Sequence, residues 1–209
     1  MDREAFLRDY WAYYIMLEDK FIHTLNYVEL SEDNFNTHSN EYASLMQMIG
    51  GELDSFFKIY CGFDPNAFKR INDYYDYLMT DYPDILNQKI SVRSADISPF
   101  QPFLGWDGAR AKQSLAWWVA FDNIKHSRSV NKRDANQKNA LYLLGALFLL
   151  EMRYIKNIAT GTRNRDIPDE TSKLFELVDW KTKYSKVGEN LYFETIADLS
   201  ATEAVGPNK

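Results

Sequence analysis

The sequence predicts a mainly α-helical fold, a bundle of four to five helices followed by a small C-terminal β-hairpin. Up to Ile158, apolar residues recur mostly every three or four positions, as they do in amphipathic helices. After Gly161 the pattern changes, and Trp180, Thr182 and Tyr184 alternate with polar neighbours as in a strand. We therefore expect residues 1–160 to form the bundle and residues 161–209 to form an extension with a hairpin and a tail.

Capping residues and prolines bound the individual elements. The first three helices are predicted at Arg3 to Tyr27, from Thr37 or Ser39 to Tyr60, and from Asn66 to Asp81. A short strand at Lys89 to Arg93 and a Pro/aromatic loop at Ser98 to Trp106 come next. The last two helices are predicted at Ala109 to Lys125 and Asn136 to Ile158, the latter buried on all sides.

Composition narrows the class of protein. The longest apolar run, residues 140–150, is well short of the roughly 20 residues that cross a bilayer, and no signal peptide is evident at the N-terminus. The single cysteine, Cys61, favours a reducing compartment, so we expect a cytoplasmic protein without membrane contact. The net charge of −6 argues against non-specific coating of nucleic acid, although basic residues are concentrated between Lys125 and Lys138.

The segment Trp117 to Arg128 carries the candidate site. An apolar helix face continues at helical spacing into Asp122 and His126, which is typical of a helix with one end lining a polar site. His126 can exchange a proton near neutral pH, and Asp122 and Asn123, four and three residues earlier, can approach its ring.

Together with two cations, these groups suit acid–base attack at a phosphodiester. Lys125 and Arg128 could neutralise phosphate charge, while Asn123 could orient a substrate oxygen. The alternative is a helix C-terminus whose basic residues complement the helix dipole.

Glu52 lies at a position of an apolar helix stripe where a lone carboxylate is costly. It is either a member of a buried ion pair, with Lys58 or Arg128 as conceivable partners, or a supporting carboxylate of the site. The sequence contains no zinc-binding spacing, no paired histidines and no phosphate- or dinucleotide-binding glycine pattern, so we expect neither a metal nor another cofactor.

Residues 5–160 resemble a branch of the HEPN superfamily, small helical-bundle proteins of bacterial defence, toxin–antitoxin and RNA-processing systems. The resemblance rests on Trp117-Trp118, on Asn123-Ile-Lys-His-Ser-Arg128 and on Asn136-x-x-Asn139-Ala-Leu. It implies an RNA-directed protein, a homodimer, and metal-independent endoribonuclease activity with His126 as the catalytic group. It also allows a partner protein of the same system.

Active HEPN ribonucleases carry an arginine separated from the histidine by four to six residues. Here those positions are Val119, Ala120 and Phe121, so the resemblance leaves Lys125 or Arg128 to supply the charge. Two hypotheses therefore stay open. In the first, the chain cleaves RNA at His126. In the second, it is a non-catalytic scaffold or a subunit that binds RNA or a partner, with His126 bonded inside the bundle to Glu52 or to the Pro/aromatic loop.

Overall fold

The computed structural model describes residues 1–93, 95–159, 166–187 and 191–195 of the chain. The fold is mainly helical with a small antiparallel hairpin near the C-terminus, as the sequence predicts, and it contains a second small antiparallel sheet that the sequence did not predict. The helices are α1 (Arg3–Phe6), α2 (Ala12–Thr24), α3 (Asn40–Tyr60), α4 (Ile71–Asp81), α5 (Ala111–Ser114), α6 (Ala116–Ser127) and α7 (Gln137–Ile158). The strands are β1 (Ile90–Val92), β2 (Phe175–Leu177), β3 (Lys181–Val187) and β4 (Leu191–Thr195).

Helix α7 lies at the centre of the bundle. Every residue from 143 to 152 is buried, which confirms the prediction of a helix enclosed on all sides. Helices α3 and α6 pack against it, and burial of their apolar faces is the main favourable contribution to folding. Within the described ranges, no helix has the length and hydropathy that a membrane-spanning segment needs.

Two predicted helices differ from the structure at their ends. The first is interrupted by a π-helical turn at Leu7–Trp11 and ends at Thr24. The third begins at Ile71 and not at Asn66, because the carboxylate and carbonyl of Asp64 accept the backbone N–H groups of Asn66 and Ala67 and hold a turn there. Local side-chain bonds of this kind compete with helix formation.

The predicted helix at Ala109 to Lys125 is divided in the structure. A 3₁₀ turn at Gly108–Arg110 leads into α5, and Leu115 then adopts an extended conformation (φ −106°, ψ 102°) that separates α5 from α6. Helix α6 continues to Ser127, two residues beyond the predicted end.

The Pro/aromatic loop is packed against the bundle. Phe100, Phe103 and Trp106 are buried, and Trp117 Nε1 donates to the carbonyl of Pro102 at 2.7 Å. The loop therefore contributes to the core beneath the first turn of α6.

The strand predicted at residues 89–93 is present as β1, but its partner is β2, with Ser91 opposite Glu176. Strands β3 and β4 pair as the predicted C-terminal hairpin. The predicted tail after this hairpin, and residues 188–190 of the predicted turn, lie outside the described residues.

A buried carboxylate joins the segment before β2 to the bundle. Glu18 on α2 accepts the hydroxyls of Tyr14 and Ser172 and the backbone N–H groups of Lys173 and Leu174. Nearby, Trp11 Nε1 donates to the carbonyl of Glu170 at 2.8 Å. Residues 170–177 are therefore an integral part of the bundle surface.

Candidate nucleic-acid interface

A groove of about 620 Å³ lies between α3, the start of α4, and α5 and α6. We call it the basic groove, since five lysine or arginine side chains and one histidine line it against two carboxylates, Asp54 and Asp122. The basic residues are Lys58, Lys69, Arg70, Lys112, Lys125 and His126. An excess of cations in one groove of a chain with a net charge of −6 makes this surface attractive to polyanions.

His126 lies in the last turn of α6 with 66% of its side chain exposed. Its Nε2 is 3.5 Å from Oδ1 of Asp122, four residues earlier on the same helix face. The ring is therefore accessible to a ligand in the basic groove, and it is not bonded inside the bundle as the scaffold hypothesis supposed.

Asp122 lies between two basic groups. Its Oδ2 is 2.7 Å from Nζ of Lys112, and its other oxygen faces His126. Lys112 is on α5, so this ion pair crosses the break at Leu115 and joins α5 to α6. The predicted Asp122–His126 relationship is thus present, with Lys112 as a further partner.

Lys125 also lines the basic groove. Its ammonium lies 5.6 Å from the centre of the Phe121 ring, a cation–π distance, and its side chain is exposed. Lys125 and His126 therefore place a fixed positive charge and a titratable group next to each other.

Asn123 and Arg128 do not line the basic groove. Asn123 Nδ2 donates to Oδ2 of Asp134 at 2.7 Å, and Arg128 Nη1 donates to Oδ1 of Asn40 at 2.9 Å. Arg128 instead lines a separate cavity of about 260 Å³ together with Lys132. Of the four residues predicted as catalytic, the structure brings Lys125 and His126 together and directs Asn123 and Arg128 elsewhere.

Glu52 lies outside the basic groove. It is half-buried, and desolvation raises the pKa of its carboxyl. The pKa of fully buried Glu151 is raised mainly by its own burial and further by the negative charge of Glu52. The conceivable partners of Glu52 are engaged elsewhere, since Lys58 Nζ donates to the carbonyl of Pro65 at 3.2 Å and Arg128 bonds Asn40. The carboxylate that α3 contributes to the groove belongs to Asp54.

Three segments that line the basic groove were not predicted from the sequence. Lys69 and Arg70 precede α4, Lys112 lies on α5, and Lys58 lies on α3. The adjacent Lys69-Arg70 pair directly before a helix start was the one local signal. The convergence of these segments on α6 depends on tertiary packing, which periodicity does not report.

The described residues offer little for metal or thiol chemistry. No group of three or more histidine, cysteine, aspartate or glutamate side chains within them is arranged to hold a metal ion. Cys61 is buried, and desolvation raises the pKa of its thiol to about 12. The thiol is therefore protonated at neutral pH and unsuited to act as a nucleophile.

Comparisons of the chain with protein-family models, curated proteins and solved structures return no match. HEPN membership therefore stays a prediction based on the sequence motif.

Proposed function

We propose that this chain is a HEPN-like, RNA-directed protein of a bacterial defence or toxin–antitoxin system. It binds the RNA backbone in the basic groove and cleaves it without a metal, with His126 as a general acid or base. The observation that carries the proposal is the exposed imidazole of His126 set among five lysine and arginine side chains in one groove.

The binding step follows from electrostatics. Successive RNA phosphates attract lysine and arginine side chains, and neutralising them releases counterions. Lys69, Arg70 and Lys125 come from two sides of the groove, so they can contact different phosphates of one strand. The net charge of −6 disfavours non-specific binding of RNA to the chain as a whole.

The chemical step needs only proton transfers. The ribose 2′-oxygen forms a bond to the adjacent phosphorus, the bond from phosphorus to the 5′-oxygen breaks, and the products are a 2′,3′-cyclic phosphate and a 5′-hydroxyl. One group accepts the 2′-hydroxyl proton and another gives a proton to the leaving oxygen. His126 serves one of these roles, and Lys125 stabilises charge on the non-bridging oxygens.

The second proton-transfer group comes from a second copy of the chain in this proposal. The HEPN resemblance implies a homodimer with a composite site across a two-fold axis. A pair of basic grooves facing each other would supply two copies of His126.

A non-catalytic RNA-binding subunit is the second candidate. It is favoured by the contacts of Asn123 with Asp134 and Arg128 with Asn40, which leave His126 without two of the predicted supporting groups. This candidate uses the same basic groove and the same phosphate contacts but no proton transfer.

Cleavage of RNA in the presence of a chelator distinguishes the candidates. We expect wild type to cleave and His126→Ala to lose cleavage while keeping RNA affinity and the free energy of unfolding, because the side chain is largely exposed. His23→Ala is the matched control, since His23 is also exposed but lies on α2 outside the basic groove.

Each outcome of this experiment favours or refutes a different candidate function. Binding without cleavage by wild type would favour the non-catalytic candidate, and equal cleavage by His126→Ala would refute the role of His126. Failure of wild type to bind any RNA would refute both candidates.

A further inference from the structure

Phe68 is unusually exposed for a phenylalanine. Its side chain lines the basic groove, yet the residue is 83% exposed. Leaving a phenyl ring in water forgoes the stabilisation that burial would give. An exposed aromatic ring next to cationic side chains is a recurrent feature of surfaces that bind single-stranded nucleic acid.

The backbone on both sides of Phe68 is anchored. Lys58 Nζ donates to the carbonyl of Pro65 at 3.2 Å, and the carboxylate of Asp64 accepts the N–H of Asn66 at 2.8 Å. On the other side, the Arg70 N–H donates to Oδ2 of Asp73 at 2.7 Å and begins α4. The ring is therefore held out from a turn fixed at both ends.

A cationic group lies beside this ring. The guanidinium carbon of Arg70 is 5.6 Å from the centre of the Phe68 ring. Lys69, between them in sequence, lies over the Phe63 ring at 4.1 Å and also lines the groove. A strand whose phosphates contact Lys69 and Arg70 would have its bases within reach of Phe68.

We propose that Phe68 is a stacking platform for an unpaired base, so that the basic groove selects single-stranded over double-stranded RNA. The inference rests on the proposed RNA-binding function and adds the class of RNA. In an RNA duplex the bases are already stacked inside the helix, and a side chain outside it meets only sugar, phosphate and base edges. A single strand leaves base faces free for Phe68.

The test measures binding of three 2′-O-methyl ligands, because the methyl group blocks the nucleophile and prevents cleavage. They are a single strand, the same strand in a duplex, and an oligomer of equal charge that lacks bases. The proteins are wild type, Phe68→Ala, Phe68→Trp and Lys125→Ala. Tyr27→Ala is the matched control, since Tyr27 is 79% exposed and does not line the basic groove.

We expect Phe68→Ala to weaken single-strand binding by about 5- to 150-fold, the range found for loss of one base–aromatic stack. Phe68→Trp should keep the affinity, because an indole also stacks. Binding of the duplex and of the base-free oligomer should be unchanged by Phe68→Ala, and Tyr27→Ala should bind all three ligands like wild type.

Two results would overturn the inference while leaving the proposed function intact. One is unchanged single-strand binding by Phe68→Ala when Lys125→Ala loses affinity. The other is an equal loss for the base-free oligomer, which would make Phe68 a support for the phosphate contacts. Failure of wild type to bind any of the ligands would overturn the inference together with RNA binding itself.

Discussion

The ring of Phe121 on α6 lies against the backbone of Gly50 on α3. A β-carbon at position 50 would overlap the Cδ2, Cε2 and Cγ atoms of that ring. The absence of a side chain therefore lets α6 approach α3 closely, five residues before His126. Gly51, the next residue, has nothing within 4 Å of the corresponding position.

Gly50→Ala should destabilise the protein by about 1–3 kcal/mol, the range for overpacking a filled core. Gly51→Ala should have the opposite effect, a gain of up to about 1 kcal/mol, since alanine is the better helix former and the added methyl meets open space. Urea denaturation of both variants measures the free energies of unfolding. Similar values for the two variants would contradict the close contact.

Asp122→Asn should separate RNA binding from RNA cleavage. The substitution removes a negative charge from the basic groove and releases Lys112 from its 2.7 Å ion pair, so affinity should rise. The logarithmic salt dependence of single-strand binding should steepen by about 0.7 for one added phosphate contact. Cleavage per bound RNA should fall, because the contact of Asp122 with His126 is lost.

The control for this prediction is Asp19→Asn, which removes an exposed carboxylate of α2 outside the basic groove. It changes the net charge equally. Equal tightening by both variants would mean that Asp122 acts only through the overall charge.

Glu151 should make stability fall as pH rises. Neither of its carboxylate oxygens has a hydrogen-bond partner among the residues described, and burial, with Glu52 nearby, raises its pKa well above the ordinary value. Between an unfolded pKa of about 4.3 and the raised native value, the unfolded chain releases a proton that the native state retains. The contribution of Glu151 to the free energy of unfolding is therefore fully present below the unfolded pKa. It decreases as pH rises from the unfolded pKa to the native pKa, by at most about 1.4 kcal/mol per pH unit.

Glu151→Gln removes that proton equilibrium. Relative to wild type, its free energy of unfolding should improve as pH rises above the unfolded pKa of about 4.3, as measured by chemical denaturation at each pH. Glu41→Gln, at an exposed position of α3, should track wild type throughout. A constant difference between Glu151→Gln and wild type would contradict the raised pKa.

Glu18→Ala should cost about 3 kcal/mol or more, because each buried donor left unpaired costs about 1–3 kcal/mol. The loss of stability should appear first as faster hydrogen exchange at the amides of Lys173 and Leu174, which donate to Glu18 in the wild type. Asp19→Ala is a matched control on the same helix. Its exposed 2.9 Å pair with Lys173 is screened by solvent, so its loss should change the free energy of unfolding much less than the loss of Glu18.

Local patterns predicted the helices well and their interruptions less well. The apolar run in α7 and the spacing of apolar residues in α3 both result from burial of helix surface. Such burial can be recognised directly from the sequence. The start of α4 depends on the turn held by Asp64, and the break between α5 and α6 is a single residue, Leu115, in an extended conformation. Single hydrogen bonds and backbone angles of this kind leave no periodic signal.

The residues predicted as catalytic come from one helix and its C-cap, whereas the basic groove is built from several elements. Asp122, Lys125 and His126 share the groove face of α6, whereas Asn123 and Arg128 are rotated away and find partners at Asp134 and Asn40. The groove residues on the other elements could be identified only from the tertiary structure.

The attachment of the segment around Ser172 to α2 has a consequence for the order of folding. Ser172 lies 154 positions after Glu18, and Glu176 lies 85 positions after its strand partner Ser91. Contacts this distant in sequence carry a large loop-closure entropy and form late. While the chain is being synthesised, α2 must present Glu18 without three of its four donors. The nascent bundle therefore carries an unpaired carboxylate in one face until residues 172–174 bind it.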